Sequence, residues 1–208
     1  SHIDSAEKIQ PTRASLGLPR DKRLVAMLPG SRINEIERHM PVLRDTAIHL
    51  AALYPNLHVV IPVAGTIELA LIKAYWPTHA PPCTFIQGHA IEVATCSDCV
   101  IVSSGTASLE CALLSKPMCI IYKVSPLTCL IASKLIRVKY LGLCNLLKNS
   151  MIVPELLQYD CNPTELTRVV SSLLSDPEAT KHMQARLNDL KHTLSLAKAD
   201  TTLHELVL

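Results

Sequence analysis

Two polar turns, each following a buried apolar segment, carry residue types suited to binding a phosphorylated ligand. The first is 29–32 (Pro-Gly-Ser-Arg) after the apolar run 24–28, and the second is 103–110 (Ser-Ser-Gly-Thr-Ala-Ser-Leu-Glu) after 100–102. Each pattern is typical of a buried strand, a tight turn and the exposed start of a helix. In an open parallel sheet such turns lie at the carboxyl edge, where backbone N–H groups and the helix dipole attract phosphate. Together the turns predict a site for a phosphorylated, sugar-containing ligand.

The side chains in these turns fit the stabilisation of a nucleoside diphosphate leaving group. Gly105 allows close approach to the backbone, and Ser104 and Thr106 add hydroxyl and N–H donors. Arg32 is the best-placed cation, and Glu110, on the first turns of the helix, suits ribose hydroxyls. A guanidinium and backbone donors stabilise such charge without a metal. A simple helix cap and a surface arginine are the alternatives, but two motifs at corresponding strand ends favour a functional site.

Positioning these turns requires a sheet, and the chain supplies alternating strand and helix patterns. The predicted strands are 24–28, 57–61, 84–86, 99–102 and 118–122. The predicted helices are 34–53, with Pro41 opening a second helical piece, then 66–75, 89–96 and 106–114. Short apolar strands without alternation are typical of a sheet that is covered on both faces. The pattern therefore predicts an α/β fold with a doubly wound parallel sheet.

Beyond residue 122 the strand patterns fade and helical patterns dominate. Residues 126–136 are predicted to be helical and residues 141–153 irregular. Two helix starts follow at Asn162-Pro163 and Asp176-Pro177, where a capping side chain precedes a proline at the first helical position. The last part of the chain is therefore predicted to consist of helices.

Length and composition fit one domain. The chain has 208 residues, of which 49% are hydrophobic, enough for a sizeable core. We expect residues 1–20, which are polar and interrupted by prolines and a glycine, to be a lead-in linker. Residues 21–208 are expected to form the domain, with a C-terminal helical segment over 163–208. A net charge of +2 and an aromatic content of 3% argue against nucleic-acid binding.

The eight cysteines indicate a reducing compartment. Cys96 and Cys99 have C-x-x-C spacing, but no second such pair or histidine follows at zinc-ligand distance. Several cysteines lie inside or beside apolar patterns, where a free thiol behaves as a small hydrophobe: Cys83, Cys99, Cys111, Cys119 and Cys129. We therefore predict reduced thiols, no metal site, no cofactor and a cytoplasmic location. The sequence contains neither a signal-peptide pattern nor an uninterrupted apolar run of ~18 residues.

A series of motifs in a fixed order adds a family resemblance. The motifs are Leu28-Pro-Gly-Ser-Arg32 followed by Glu35-Ile36, then Ser104-Gly-Thr-Ala-Ser-Leu-Glu110, and then the segments 122–128, 140–147 and 154–158. They resemble those of the lipid-A-disaccharide synthases, GT-B glycosyltransferases of family 19, over residues 16–208. The resemblance implies the carboxyl-terminal, Rossmann-like and nucleotide-binding half of such an enzyme. It also implies an amino-terminal half, supplying the general base and most of the acceptor side, that has no counterpart in this chain.

The resemblance implies a reaction in lipid A biosynthesis of Gram-negative bacteria. In that reaction 2,3-diacylglucosamine is transferred from UDP to 2,3-diacylglucosamine 1-phosphate with inversion, and UDP is released. Arg32 would stabilise the departing UDP and is the predicted catalytic residue. The isolated chain is expected to bind UDP weakly and to show no turnover. Because both substrates carry acyl chains, the resemblance also implies peripheral contact with the inner-membrane surface.

Site residues follow from the resemblance position by position. Ser31 and Arg32 match the family's phosphate loop, the turn at 104–106 matches its pyrophosphate turn, and Glu110 matches its ribose ligand. Three further residues match positions that close around the donor sugar: Asn145, Glu155 and Gln158. The chain departs from the family's Leu-Pro-Asn pattern, having Cys144 before Asn145, which leaves that loop less pre-organised.

Several alternatives remain open at this stage. Another GT-B UDP-sugar enzyme, such as a UDP-GlcNAc 2-epimerase, would share the glycine-bearing turn, and a non-catalytic nucleotide-binding module would explain the missing half. His89 is interpreted as a helix-capping residue rather than a contact to the base. The basic and apolar segment 127–139 is either a membrane contact or a core-facing helix with a cationic outer face. The C-terminal leucines pack either on this domain or on a second subunit of a homodimer.

Overall fold

A computed structural model describes residues 11–125 and 139–206, with side chains up to residue 196. Its strands are β1 (Arg23–Leu28), β2 (Leu57–Val63), β3 (Cys83–Gln87), β4 (Cys99–Ser103), β5 (Met118–Tyr122) and β6 (Glu155–Leu157). Its helices are α1 (Ile33–Leu53), α2 (Leu69–Ala74), α3 (Ala90–Cys96), α4 (Thr106–Leu113), α5 (Leu143–Leu147), α6 (Pro163–Ser175) and α7 (Pro177–Leu206). The six strands form one sheet in the order β3-β2-β1-β4-β5-β6, and every pair is parallel. The predicted doubly wound α/β fold is confirmed.

The strand order places the two polar turns side by side. From β1 the chain proceeds outward to β2 and β3, then crosses back so that β4 pairs with β1 on its other side. The pairing aligns Leu28 with Val102, so both strands end at the same level. Loops that leave two adjacent strands in opposite directions open a crevice at the carboxyl edge of the sheet. The turns after β1 and β4 form the two walls of that crevice.

Helices cover both faces of the sheet. On one side α1 packs against α6, and on the other α3 packs against α4, which also contacts α5 and α7. The central strand β4 is buried at every position, and β1 is buried from Leu24 onward. Burial of both faces explains why these strands are continuously apolar.

Helix α1 differs from the prediction at Pro41. We expected a new helical piece there, but the helix runs unbroken from Ile33 to Leu53 with Pro41 inside it. A proline in a helix interior removes one backbone hydrogen bond and costs about 3 kcal/mol. Buried side chains lie on both sides of the proline, including Ile36, Met40 and Leu43, and their packing against the sheet holds the two parts in line.

The region after β5 contains two elements that the sequence did not predict. Strand β6 pairs with β5 through Ile120 and Glu155, and α5 lies within the stretch 141–153 that was expected to be irregular. Both are short, so neither produces a periodic pattern in the sequence. The predicted helix 126–136 lies outside the described residues, as does the basic segment 127–139 apart from Lys139.

The predicted starts of the last two helices are confirmed. The side chain of Asn162 accepts a hydrogen bond from the Glu165 N–H at 3.0 Å, with Pro163 as the first residue of α6. The carboxylate of Asp176 accepts from the N–H groups of Glu178 and Ala179 at 3.0 and 3.1 Å at the start of α7. Such caps satisfy N–H groups that a helix start otherwise leaves free.

Part of the predicted lead-in segment packs on the domain. Leu18 is buried, and the Arg13 guanidinium forms two 3.0 Å hydrogen bonds with the Asp98 carboxylate. The same guanidinium donates to the carbonyls of Cys96 and Lys22. Residues 11–20 therefore cover the amino edge of the sheet, opposite the crevice. The boundaries of the domain itself stay a prediction.

The described cysteines are free thiols. Burial raises the pKa of Cys99 and of Cys111 to about 12, so both thiols stay protonated at neutral pH. Among the described residues, no group of three or more His, Cys, Asp or Glu side chains is arranged to hold a metal ion. In the same part of the chain, no helix is both long and apolar enough to cross a membrane.

Candidate functional site

A cleft of about 400 Å³ opens at the carboxyl ends of β1 and β4. Its walls come from the β1–α1 turn, the β4–α4 turn, the end of β2 and the β3–α3 turn. Five of the predicted site residues line it together: Ser31, Arg32, Ser104, Gly105 and Thr106. The two motifs thus share one cavity, as we expected from their positions at strand ends.

The β4–α4 turn presents the start of a helix to this cleft. Gly105 precedes α4 with φ +144° and ψ −165°, a conformation that is essentially restricted to glycine. Among residues 11–125 and 139–206, the N–H groups of Thr106 and Ala107 have no hydrogen-bond partner. These two donors lie at the positive end of the helix dipole and line the cleft, an arrangement suited to binding an anion.

The predicted serine of this turn makes hydrogen bonds within the protein. The Ser104 hydroxyl donates to the Leu141 carbonyl at 3.0 Å, and its N–H donates to the Ile121 carbonyl at 2.9 Å. Ser104 therefore ties the turn to β5 and to the chain before α5. Its side chain lines the cleft but is already engaged within the protein.

The β1–α1 turn differs from the prediction because it contains its own anion. One carboxylate oxygen of Glu35 accepts hydrogen bonds from the N–H groups of Ser31 and Arg32, at 2.9 and 3.3 Å. The turn therefore does not offer these two backbone donors to phosphate. Gly30, at φ +116°, is required here because a side-chain carbon would collide with the Glu35 carboxylate. The groups of this turn that remain available to a ligand are the Arg32 guanidinium and the Ser31 hydroxyl.

Arg32 can exchange its partner for a phosphate. Its guanidinium lies 3.0 Å from the Glu35 carboxylate, its only partner among the described residues, and its side chain is 80% exposed. Ion pairs this exposed contribute about 0–1 kcal/mol. A bidentate hydrogen bond to a phosphate group is stronger. The arginine is thus held at the rim of the cleft by an interaction that a ligand can replace.

Glu110 lies outside the lining of the cleft. It is exposed on α4, beyond Thr106 and Ala107, which are the residues of the helix that line the cavity. Its assignment as a ribose ligand stays a prediction.

The structure does not bring Asn145, Glu155 and Gln158 to the cleft. Asn145 is fully buried, and its side-chain oxygen accepts from the N–H groups of Ile152 and Val153 at 2.7 and 3.0 Å. Its amide nitrogen donates to the Val153 carbonyl and to the Glu155 carboxylate at 2.8 and 2.7 Å. All four hydrogen-bonding positions of the amide are therefore used inside the protein.

Glu155 completes this buried network. Its two carboxylate oxygens accept from the N–H groups of Leu141 and Gly142, both at 2.9 Å. Since the Leu141 carbonyl accepts from Ser104, the network reaches the cleft indirectly. Gln158, with φ +49°, accepts from the Val124 N–H at 3.0 Å and so holds the chain that leaves β5. In the protein without ligand, these three residues therefore stabilise the backbone segments around them.

The cleft also contains two residues that the sequence did not assign to the site. Glu35 belongs to a family motif, and an acidic residue in the first helical turn, five residues after a glycine, is a signal for a loop-binding carboxylate. His89 occupies the predicted capping position at the start of α3, with φ +56°, but its side chain makes no capping hydrogen bond. The imidazole instead lies 3.3 Å from the Glu92 carboxylate and lines the cleft beside Gly88.

Comparison with known families identifies this arrangement. The family model described as lipid-A-disaccharide synthetase matches residues 1–207. The chain belongs to the lipid-A-disaccharide synthase family. Lipid-A-disaccharide synthase 1 of Legionella pneumophila (strain Paris) is 54% identical over 206 residues, covering 99% of the chain and 54% of that protein. The lipid-A-disaccharide synthase of Anaeromyxobacter dehalogenans (strain 2CP-C) is 36% identical, covering 94% of the chain and 51% of that protein.

The chain thus spans about half the length of the lipid-A-disaccharide synthases it matches. Solved structures with the same fold are sugar-nucleotide enzymes. The UDP-GlcNAc 2-epimerase of Neisseria meningitidis bound to UDP-GlcNAc aligns with a TM-score of 0.59 at 14% identity, covering 92% of the chain and 47% of that structure. The E. coli ADP-heptose heptosyltransferase II aligns with a TM-score of 0.58 at 15% identity, covering 80% and 51%. These similarities show the GT-B-type Rossmann-like fold.

Proposed function

We propose that this chain is the donor-binding half of a lipid-A-disaccharide synthase and that its cleft binds the UDP part of the donor. The observation that carries the proposal is the meeting of two anion-binding elements on one cavity. The Arg32 guanidinium comes from the turn after β1, and the free N–H groups of Thr106 and Ala107 come from the turn after β4. A diphosphate placed between them would contact a cation and a helix start at once.

The proposed reaction transfers 2,3-diacylglucosamine from UDP to 2,3-diacylglucosamine 1-phosphate. An acceptor hydroxyl attacks the anomeric carbon while the bond from that carbon to the β-phosphate oxygen breaks, so UDP leaves with the electron pair. Arg32 and the start of α4 are the groups of this chain that stabilise the negative charge developing on UDP. The general base that takes the hydroxyl proton belongs to the amino-terminal half that we propose as the partner of this chain.

Other predicted residues fit this proposal in different ways. Glu110, exposed on α4, is proposed to reach the ribose once UDP is bound. Asn145, Glu155 and Gln158 are proposed to act through the chain segments they hold rather than through direct contact with the sugar. The network from Glu155 through Leu141 to Ser104 supports this, because it braces the turn that carries Gly105.

The proposed substrates also suggest where the protein acts. Both carry acyl chains, so we propose peripheral contact with the cytoplasmic face of the inner membrane and retain residues 127–139 as the candidate contact segment. A homodimer remains the proposed assembly. We favour this enzyme over a UDP-GlcNAc 2-epimerase, because the epimerase shares only the fold at 14% identity whereas the family match spans nearly the whole chain.

Calorimetric titration of the 208-residue chain with UDP tests the proposal directly. We expect saturable binding at one site and no glycosyl transfer until the amino-terminal half is supplied. Arg32→Ala is the test variant. Arg38→Ala is the matched control, since Arg38 lies on α1 just after the turn and donates to the Asn34 carbonyl. Absence of UDP binding, or equal loss in both variants, would overturn the proposed function. Comparison of acylated with plain UDP-GlcNAc as donor separates the synthase from an epimerase.

A further inference from the structure

A buried histidine joins the β1–α1 turn to the chain that leaves β5. His39, on the second turn of α1, is 1% exposed. Its Nδ1 lies 2.7 Å from the Pro29 carbonyl oxygen, and its Nε2 lies 3.2 Å from the backbone nitrogen of Lys123. Pro29 directly precedes Gly30, Ser31 and Arg32. The imidazole is therefore the link between one wall of the cleft and the segment beyond β5.

The two contacts define the state of the ring. A carbonyl oxygen can only accept a hydrogen bond, so Nδ1 must carry a hydrogen. A backbone N–H can only donate, so Nε2 must be the unprotonated acceptor. A second proton on Nε2 would place two N–H donors, one from the ring and one from the Lys123 backbone, opposite each other. The hydrogen bond to Lys123 would then be lost. The link therefore exists only with a neutral ring.

We propose that His39 is a positioning residue of the nucleotide site: its neutral ring anchors the Pro29–Arg32 turn to the chain after β5, and protonation releases that anchor. The inference rests on the proposed function for its link to UDP. It goes beyond that function because it makes His39, a residue outside the cleft, responsible for the position of the Arg32 guanidinium.

The anchor works together with Glu35 one turn earlier on the same helix. Glu35 and His39 both reach back to the turn that precedes α1, the first holding the Ser31 and Arg32 N–H groups and the second the Pro29 carbonyl. The far end of the link is also braced, because Gln158 accepts from the Val124 N–H next to Lys123. Loss of His39 would leave the turn attached to α1 but detached from β5.

Burial and the nearby cations keep the ring neutral, and the anchor therefore closed, until the pH falls below the ordinary histidine pKa. Burial is the main cause that lowers the pKa of His39 below its ordinary value of 6.5, and Lys123 and Arg38 lower it further. The bond to Pro29 and the charge of Glu35 act in the opposite direction. The neutral ring is therefore the dominant form at neutral pH, and the anchor opens only below pH 6.5.

Two substitutions separate anchoring from general packing. In His39→Gln the side-chain amide offers an NH2 donor and an oxygen acceptor with similar spacing but does not titrate. In His39→Leu both partners are lost, which leaves the Pro29 carbonyl and the Lys123 N–H without their buried partner. The test measures UDP affinity of the 208-residue chain by calorimetry at about pH 8 and about pH 5, the two ends of the histidine range. It also measures amide hydrogen exchange of Lys123 and of residues 30–32 without ligand.

We expect His39→Leu to weaken UDP binding about tenfold at the higher pH and to speed exchange at Lys123 and in the turn. His39→Gln should bind UDP within about threefold of the parent and should lose less affinity than the parent on acidification. The parent and His39→Gln share every other titratable group and the same ligand, so the difference between their pH profiles isolates His39. Equal affinity of parent and His39→Leu, or superimposable pH profiles of parent and His39→Gln, would overturn the inference.

The exchange experiment separates this inference from the proposed function. If the parent bound no UDP at any pH, the proposed function would fail, and exchange alone would decide whether His39 anchors the turn. Faster amide exchange in His39→Leu, both at Lys123 and in residues 30–32, would support the role of His39 as an anchor. Unchanged exchange would contradict it. If His39→Leu did not fold, the pH comparison of the parent with His39→Gln would still decide.

Discussion

Glu35 holds Arg32 at the rim of the cleft through an ion pair of 3.0 Å and a hydrogen bond from the Arg32 N–H at 3.3 Å. The same carboxylate also accepts from the Ser31 N–H, so the turn after β1 is closed by a residue of this chain. An incoming phosphate therefore competes only for the guanidinium. Binding on this side of the cleft depends on two side chains, the Arg32 guanidinium and the Ser31 hydroxyl, whereas the opposite side offers backbone donors.

The first prediction concerns Arg32. Arg32→Ala should weaken UDP binding by about 1.5–3 kcal/mol, because a hydrogen-bonded charge opposite the diphosphate is removed. In the two-half enzyme the same change should lower kcat by the equivalent of roughly 3–5 kcal/mol. Calorimetry and steady-state kinetics measure the two effects. A variant within tenfold of the parent in kcat would assign Arg32 a surface role.

The second prediction concerns Glu35. Glu35→Ala should lower the free energy of unfolding by about 1–2 kcal/mol, because the Ser31 and Arg32 N–H groups lose their acceptor at the start of a helix. Urea denaturation measures the change. Glu37→Ala, at an exposed position of the same helix, is the matched control and should change stability by less than about 0.5 kcal/mol. Equal loss of stability in both variants would show that Glu35 does not stabilise the turn after β1.

The third prediction concerns Gly105. Gly105→Ala should destabilise the protein by about 1–3 kcal/mol, because alanine does not tolerate φ +144°. It should also weaken UDP binding, because relief of the strain moves the N–H groups of Thr106 and Ala107. Gly65→Ala is the control, since an added carbon there meets open space and φ lies outside the positive range. Thermal denaturation and UDP titration of both variants check this, and an unchanged Gly105→Ala protein would contradict it.

The fourth prediction separates support from ligand binding at Asn145. Asn145→Ala should lower the free energy of unfolding by about 3 kcal/mol, because it leaves the Ile152 N–H and other buried groups without partners. The folded variant should still bind UDP, with affinity reduced about tenfold at most, because Asn145 reaches the cleft only indirectly through Glu155, Leu141 and Ser104. Asn34→Ala, at an exposed position, serves as the control. A variant of parental stability that no longer binds the donor would instead make Asn145 a ligand.

The fifth prediction concerns acid stability. Burial lowers the pKa of His39 and of His58 below 6.5, so the folded state binds fewer protons than the unfolded state in this range. The stability that these neutral rings contribute is complete above pH 6.5 and is lost as pH falls through the ordinary value toward the lowered pKa. Urea denaturation at a series of pH values measures it. His39→Gln and His58→Gln should each flatten the decline, and parental slopes in both would contradict the assignment.

Local sequence was sufficient to predict the elements that depend on neighbouring residues. The apolar runs at 24–28 and 118–122 predict β1 and β5 because continuous apolar strands fit a sheet buried on both faces. Asn162-Pro163 predicts the start of α6 because the cap forms within three residues. By contrast β6 has three residues and exists through its pairing with β5, so no local pattern marks it.

The candidate site shows the same division. The sequence by itself determined which residue types were present at the strand ends: a guanidinium, a glycine that permits a restricted backbone conformation, and helix starts with N–H donors. Only the tertiary structure decided that β1 and β4 are adjacent, that Glu35 already occupies the donors of the first turn, and that Asn145 faces inward. The reason is physical: caps and turns are stabilised by contacts a few residues apart, whereas strand order, burial and competition for a donor arise from groups that meet only when the chain folds.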